Sequence, residues 1–146
     1  MPTKHLSHEG CIFCEIARGE RPAVLVYEDE EAVAFLDHRP LLHGHCLVVP
    51  RRHVETLPEL PADLLASFFA VVQRLCRAVE EGLAAQGSFV AINNKISQSV
   101  PHLHVHVVPR RKGDGLFSSK LLWKRAPYAS EAQMREVAEK IRRVMA

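Results

Sequence analysis

His102-Leu103-His104-Val105-His106-Val107-Val108 sets three imidazoles in strict alternation with apolar side chains. On an extended strand, neighbouring side chains point to opposite faces. His102, His104 and His106 therefore share one face, while Leu103, Val105 and Val107 turn toward a core. A single histidine in a strand is more often a satisfied structural residue than a catalyst. Three on one face are not explained by packing, because each buried ring needs partners for both of its nitrogens. Read from spacing alone, this stretch is a histidine-rich catalytic or metal-binding face.

Upstream, Val24, Val26 and Tyr27 and then Ala32 to Leu36 flank the acidic turn Glu28-Asp29-Glu30-Glu31, which reads as strand, turn and strand between Ala23 and Asp37. Pro40 and Gly44 mark a loop, and His45 to Val49, closed by Pro50, is a third strand. Leu64, Leu65, Phe68, Phe69, Val72, Leu75, Cys76, Val79 and Leu83 recur at helical spacing, predicting an amphipathic helix from Pro61 to Gln86 that Gly87 stops. Phe89 to Asn93 and His102 to Val108 add two strands across the polar turn Asn94 to Ser99. Ser130 with Gln133 forms a capping box that opens a second helix running through Met145. This order predicts an α+β domain on an antiparallel sheet. There is no repeat or linker, so residues 1–146 read as one domain, with a core over about 11–115 and a tail and helix over 116–146.

Composition is that of a globular chain, 47% hydrophobic and 25% charged, with no apolar run approaching the roughly 20 residues that span a bilayer. Met1 to Gly10 lacks the apolar stretch of a secretory signal, so a cytoplasmic protein with reduced thiols and no membrane contact is expected. A net charge of +2 argues against a nucleic-acid surface, and Arg110-Arg111-Lys112 reads as a solvated basic turn.

The alternating face resembles the His-x-His-x-His signature of the histidine-triad superfamily. Gln98-Ser99-Val100-Pro101 before it, Pro109-Arg110 after it, Phe35-Leu36-Asp37 upstream and Gly44-His45-Cys46-Leu47-Val48-Val49-Pro50 between them fall in that family's order. The resemblance implies a five-stranded antiparallel sheet with two helices, paired into a homodimer. It also implies cleavage at the α-phosphorus of a nucleoside 5′-phosphate derivative through a nucleotidyl-histidine intermediate. Carried over, His104 becomes the nucleophile and His106 contacts phosphate oxygens, while Gln98, Ser99 and Asn93 supply donors. Asp37 accepts from ribose hydroxyls, and His45 supports the triad. Ile12, Phe13, Ile16, Phe35 and Leu36 line the pocket of a purine base, although ordinary core explains those side chains as well. The stretch Asn93-Asn94-Lys95-Ile96-Ser97-Gln98 is shorter than the family loop and lacks its glycine before the glutamine. The leaving group is either a nucleotide, as in a dinucleoside polyphosphate, or an amine, as in a phosphoramidate. The tail from Gly113 to Tyr128, with Asp114, Trp123 and Lys124, would shape its side of the site.

Cys11 and Cys14 form a Cys-x-x-Cys pair, which in a reducing compartment suggests zinc, redox chemistry or two buried thiols. The pair precedes the first strand, which disfavours the redox reading. The resemblance implies that His53 and His102 complete a structural zinc site of two cysteines and two histidines. Cys46 and Cys76, in apolar surroundings, read as core. Two alternatives remain: a zinc-dependent metallohydrolase using the histidine face, and a nucleotide-binding regulatory module with negligible turnover.

Overall fold

Apolar residues fill the two most deeply buried strands of the sheet. β2 (Ala32–Leu36) and β3 (Cys46–Pro50) are buried along their whole length. The structure, a computed structural model, describes residues 9–118 and 124–146. With β1 (Leu25–Glu28), β4 (Gly87–Ala91) and β5 (Val105–Arg110), these strands form one antiparallel sheet in the order β1-β2-β3-β5-β4. The last strand in sequence thus sits inside the sheet, and β4 forms an edge.

One face of the sheet carries Ala32, Ala34, Val48, Val105 and Val107, packed with Phe68, Val72 and Leu75 of α2 (Ala62–Gly82) and Ala138 and Ile141 of α3 (Glu131–Met145). The other face carries Val33, Phe35, Leu47 and Val49 against Phe13, Cys14 and Ala17 of a short helix, α1 (Ile12–Ala17). Burying the larger of these side chains, the valines, Phe68, Leu75 and Ile141, stabilises the fold by on the order of 1.5–3 kcal/mol each before chain entropy is subtracted. Leu103 joins that core while His102 and His104 turn to the α1 side, as the alternation requires.

The five-stranded sheet with two long helices is as expected, and α1 is an addition. Cys11 caps it, its sulfur accepting the Cys14 N–H. Several boundaries and one cap interaction differ from the sequence reading. The ladder of β5 begins at Val105, because His102 and Leu103 are spent elsewhere: the Leu103 N–H donates to the Val54 carbonyl. α2 stops at Gly82, where a Cβ would sit 2.4 Å from the Lys140 carbonyl oxygen, and Ala84 takes the left-handed turn; Gly87 opens β4 instead. At α3 the Ser130 hydroxyl accepts from the Gln133 N–H, but the Gln133 carboxamide reaches the Ala129 N–H rather than closing the box on Ser130. Among the described residues no helix is long and apolar enough to cross a membrane.

Candidate active site and metal centre

Backbone carbonyls only accept hydrogen bonds, and this fixes the ring tautomers along the triad. The Nδ1 of His104 lies 2.8 Å from the His102 carbonyl oxygen, so that nitrogen carries the proton and donates. The lone pair of the neutral ring is then on Nε2. His104 lines a cavity of about 660 Å³ together with Asp37, Ser99 and His106. Burial pushes its basicity down, against the opposing pull of the His102 carbonyl and Asp37, which favours the neutral ring. Phe13 packs edge-on against it at 5.1 Å between ring centres, adding to that burial.

A second chain of donors ends at His106. The Leu41 N–H donates to His45 Nδ1 at 3.0 Å, so neutral His45 holds its proton on Nε2. That nitrogen lies 3.0 Å from His106 Nδ1 and donates to it, which leaves the His106 proton on Nε2. His104 thus has a lone pair where His106 has an N–H. Burial, reinforced by His104 and Arg125, pushes His106 down to about 4; burial likewise lowers His45 against the pull of Asp37. Asp37, His45 and His106 also place a ligand atom each within 4.8 Å of one another. Their protonation does not suit a metal, because coordination through His45 Nε2 needs the lone pair that the Leu41 contact leaves on Nδ1.

The sign of the pH dependence follows. Both rings stay neutral in the folded chain, whereas unfolded histidine binds a proton near pH 6.5. Between there and pH 4 the unfolded state holds more protons, so their contribution to stability falls as pH falls. Ring NMR resonances of His45 and His106 should stay in the neutral position from pH 8 to 5.5, and the urea midpoint should decline below pH 6.5. Titration of either ring near 6.5 would contradict the donor chain.

On the opposite side of His104, His102 is fully buried and donates through Nε2 to the Pro50 carbonyl at 2.8 Å, turning the Nδ1 lone pair toward the cysteines. Cys11 Sγ lies 3.3 Å from His102 Nδ1, and Cys14 Sγ lies 3.3 Å from His53 Nδ1 and 3.4 Å from His102 Nδ1. Tetrahedral zinc with ordinary bond lengths separates sulfur and nitrogen ligands by roughly 3.5 Å. The four donors converge and fit that ion.

Ile12, Phe13, Ile16, Phe35 and Leu36 border the cavity, with Leu36 also packed into the core on the helix side. His45 lies behind His106 and is fully buried. Two predicted donors are not brought to the cavity wall. The Gln98 carboxamide accepts from the Lys95 N–H and donates to the Glu55 carbonyl, and Asn93 is exposed beyond β4. Asn94 is held by the Leu57 N–H, leaving Asn93 the freer of the pair. Asp114 does not reach the site either: it pairs with Arg110 at 2.6 Å and closes the turn after β5. Trp123 lies outside the described residues. Arg39 and Arg125 also border the cavity, and nothing in the sequence but their charge marks them. A second cavity, about 680 Å³ and lined by Arg18, Arg51 and Arg52 among others, holds none of the predicted residues.

The HIT domain family model matches residues 18–113, and the chain belongs to that family. An uncharacterized HIT-like protein of Mycobacterium tuberculosis is 40% identical over 131 residues, covering 88% of this chain and 91% of that protein. The adenylylsulfatase HINT3 of Arabidopsis thaliana is 35% identical, with 77% of this chain and 58% of that protein covered. The adenosine 5′-monophosphoramidase HNT1 of Candida albicans is 32% identical, with 72% and 73% covered. Among solved structures, a zinc-bound histidine triad family protein from Mycobacterium smegmatis superposes with a TM-score of 0.78 at 40% identity, covering 93% of each chain.

Proposed function

We propose that this chain cleaves nucleoside 5′-phosphate derivatives by two displacements at the α-phosphorus, with His104 as the covalent nucleophile. The observation that carries this reading is the His104 ring, held neutral with Nδ1 donating to the His102 carbonyl and the Nε2 lone pair left for attack. In the first step a bond forms from Nε2 to phosphorus, the bond to the leaving group breaks, and its electron pair departs with that group. Water then attacks the same phosphorus, the P–N bond breaks, a proton goes to solvent, and a nucleoside monophosphate leaves with His104 restored.

His106 offers its Nε2–H and Ser99 its hydroxyl to the phosphate oxygens as charge develops there. Gln98 and Asn93 join them only if substrate draws their side chains inward. Asp37 uses Oδ1 on the Arg39 N–H at 2.9 Å and keeps acceptor capacity for ribose hydroxyls. The apolar wall from Ile12 to Leu36 takes the purine. Zinc, bound by Cys11, Cys14, His53 and His102, would serve as a structural tie under α1, holding Phe13 against His104. The adenylylsulfatase and phosphoramidase relatives support the reaction class. The assay is release of nucleoside monophosphate from adenosine 5′-phosphosulfate, diadenosine triphosphate and adenosine 5′-phosphoramidate; no release from any of them would reject the reading.

We propose further that the protein is a cytoplasmic homodimer. Among the described residues β4 bonds to β5 alone; Val90 within it is 43% exposed, and Ile96 beyond its end is 82% exposed. An open edge of that kind invites pairing with a second copy. Light scattering at micromolar concentration should give twice the chain mass; a monomer would reject the edge-to-edge pairing.

A further inference from the structure

Four arginines border the cavity, and they are not equivalent. Arg21 is paired with Glu15 at 2.8 Å and Arg135 with Glu131 at 2.7 Å, whereas Arg39 and Arg125 have no carboxylate within ion-pair range among the described residues. Arg125 is also the better fixed of these two. The Ala126 N–H donates to the Pro40 carbonyl at 2.7 Å, and the Tyr128 ring stacks on His43 with centres 4.4 Å apart. The Gly44 N–H donates to the Tyr128 hydroxyl at 2.8 Å, and the His43 Nε2–H to the Pro127 carbonyl at 3.2 Å. Residues 124–128 are thereby tied to the 40–44 loop, and Arg125 lines the same cavity as Arg39, His104 and His106. Its charge is felt by both His106 and His45.

Resting on the hydrolase reading above, we infer that Arg125 and Arg39 form an anion subsite for the group beyond the α-phosphate. The favoured substrates therefore carry an oxyanion leaving group, a further phosphate or a sulfate, rather than an amine. Two guanidinium groups without a carboxylate partner on the lining of one cavity match such oxyanions and offer nothing to a neutral amine. The donor chain from Leu41 through His45 to His106 points the same way. It delivers a neutral imidazole N–H, which steadies an oxyanion but is a weak proton source for a departing amine. A sulfate or nucleoside diphosphate leaves with its electron pair and needs no proton.

The test is kcat/KM of the full chain on three adenosine substrates, the phosphosulfate, diadenosine triphosphate and the phosphoramidate, for wild type, R125A, R125K and R39A. R125A should lose about tenfold to a hundredfold on one or both of the oxyanion substrates and less than about threefold on the phosphoramidate, with R125K recovering part of the loss. A loss confined to the phosphosulfate identifies sulfate as the group read, and one confined to diadenosine triphosphate identifies phosphate. An equal loss on all three substrates, or none, overturns the inference. Calorimetry with ADP and AMP on H104N separates the two failures. ADP should bind about tenfold tighter than AMP, and R125A in that background should erase the difference. Were no substrate cleaved while this preference held, the hydrolase reading would fall and the anion subsite would stand. Equal affinity for AMP and ADP overturns the subsite whatever the turnover.

Discussion

Replacing His104 by asparagine is expected to lower kcat for nucleoside monophosphate release by at least about 10⁴-fold, while affinity for the nucleotide changes by less than about threefold. The large loss is expected because a covalent nucleophile has no substitute in the cavity. The next ring, His106, has Nδ1 occupied by His45 and presents Nε2 with its proton attached, so it cannot take over the attack. Binding should survive because Asp37, Ser99, His106 and the apolar wall remain in place. His106→Ala removes one donor to the phosphate and should be milder, about tenfold to thousandfold, the usual cost of one such contact. Steady-state rates and calorimetry on the two variants check the ordering. A His104→Asn protein that turns over within tenfold of wild type would remove His104 from the chemistry.

Cys14→Ser should abolish stoichiometric zinc and lower Tm by roughly 10 °C. Cys14 is almost wholly buried and lies within 3.4 Å of both histidine nitrogens in the cluster, so its loss opens the centre of the ligand set. A serine hydroxyl is a poor ligand at neutral pH, and free energy of metal binding is free energy of folding where the site forms only in the native state. Several kcal/mol lost from a chain of this size moves Tm by about 2–4 °C per kcal/mol. Elemental analysis of wild-type protein purified without added metal should find about one zinc per chain. Less than about a tenth of an equivalent in folded protein would reject the site.

Much of this was legible in the chain. The alternation of residues 102–107 placed Leu103, Val105 and Val107 in the core and the three imidazoles opposite, because side-chain parity survives where hydrogen-bonded pairing does not. What the sequence does not display depends on distant backbone. The β5 ladder starts late because Leu103 pairs with Val54, and no local pattern announces that contact. α1 is six residues long, too short for periodicity to declare, although Ile12, Phe13 and Ile16 already fit one helical face. Gln98 was legible as a donor, but its engagement by Glu55 and Lys95 was not. The lone pairs of His102, His104 and His45 are set by Pro50, His102 and Leu41 carbonyl or amide groups, which carry no side-chain signal. Arg125 reaches the cavity only because Ala126 and Tyr128 tie the tail to the 40–44 loop, a fact of tertiary structure.

The most direct test of covalent catalysis is the intact mass of the enzyme during turnover. Wild-type protein mixed with adenosine 5′-phosphosulfate or diadenosine triphosphate, quenched within milliseconds without acid and measured by mass spectrometry, should show a population heavier by one adenosine monophosphate residue. Peptide mapping should place the addition on His104, and His104→Asn should never acquire it. Steady product release from wild type with no adduct at any time, under quench conditions that preserve a phosphohistidine standard, would contradict the account.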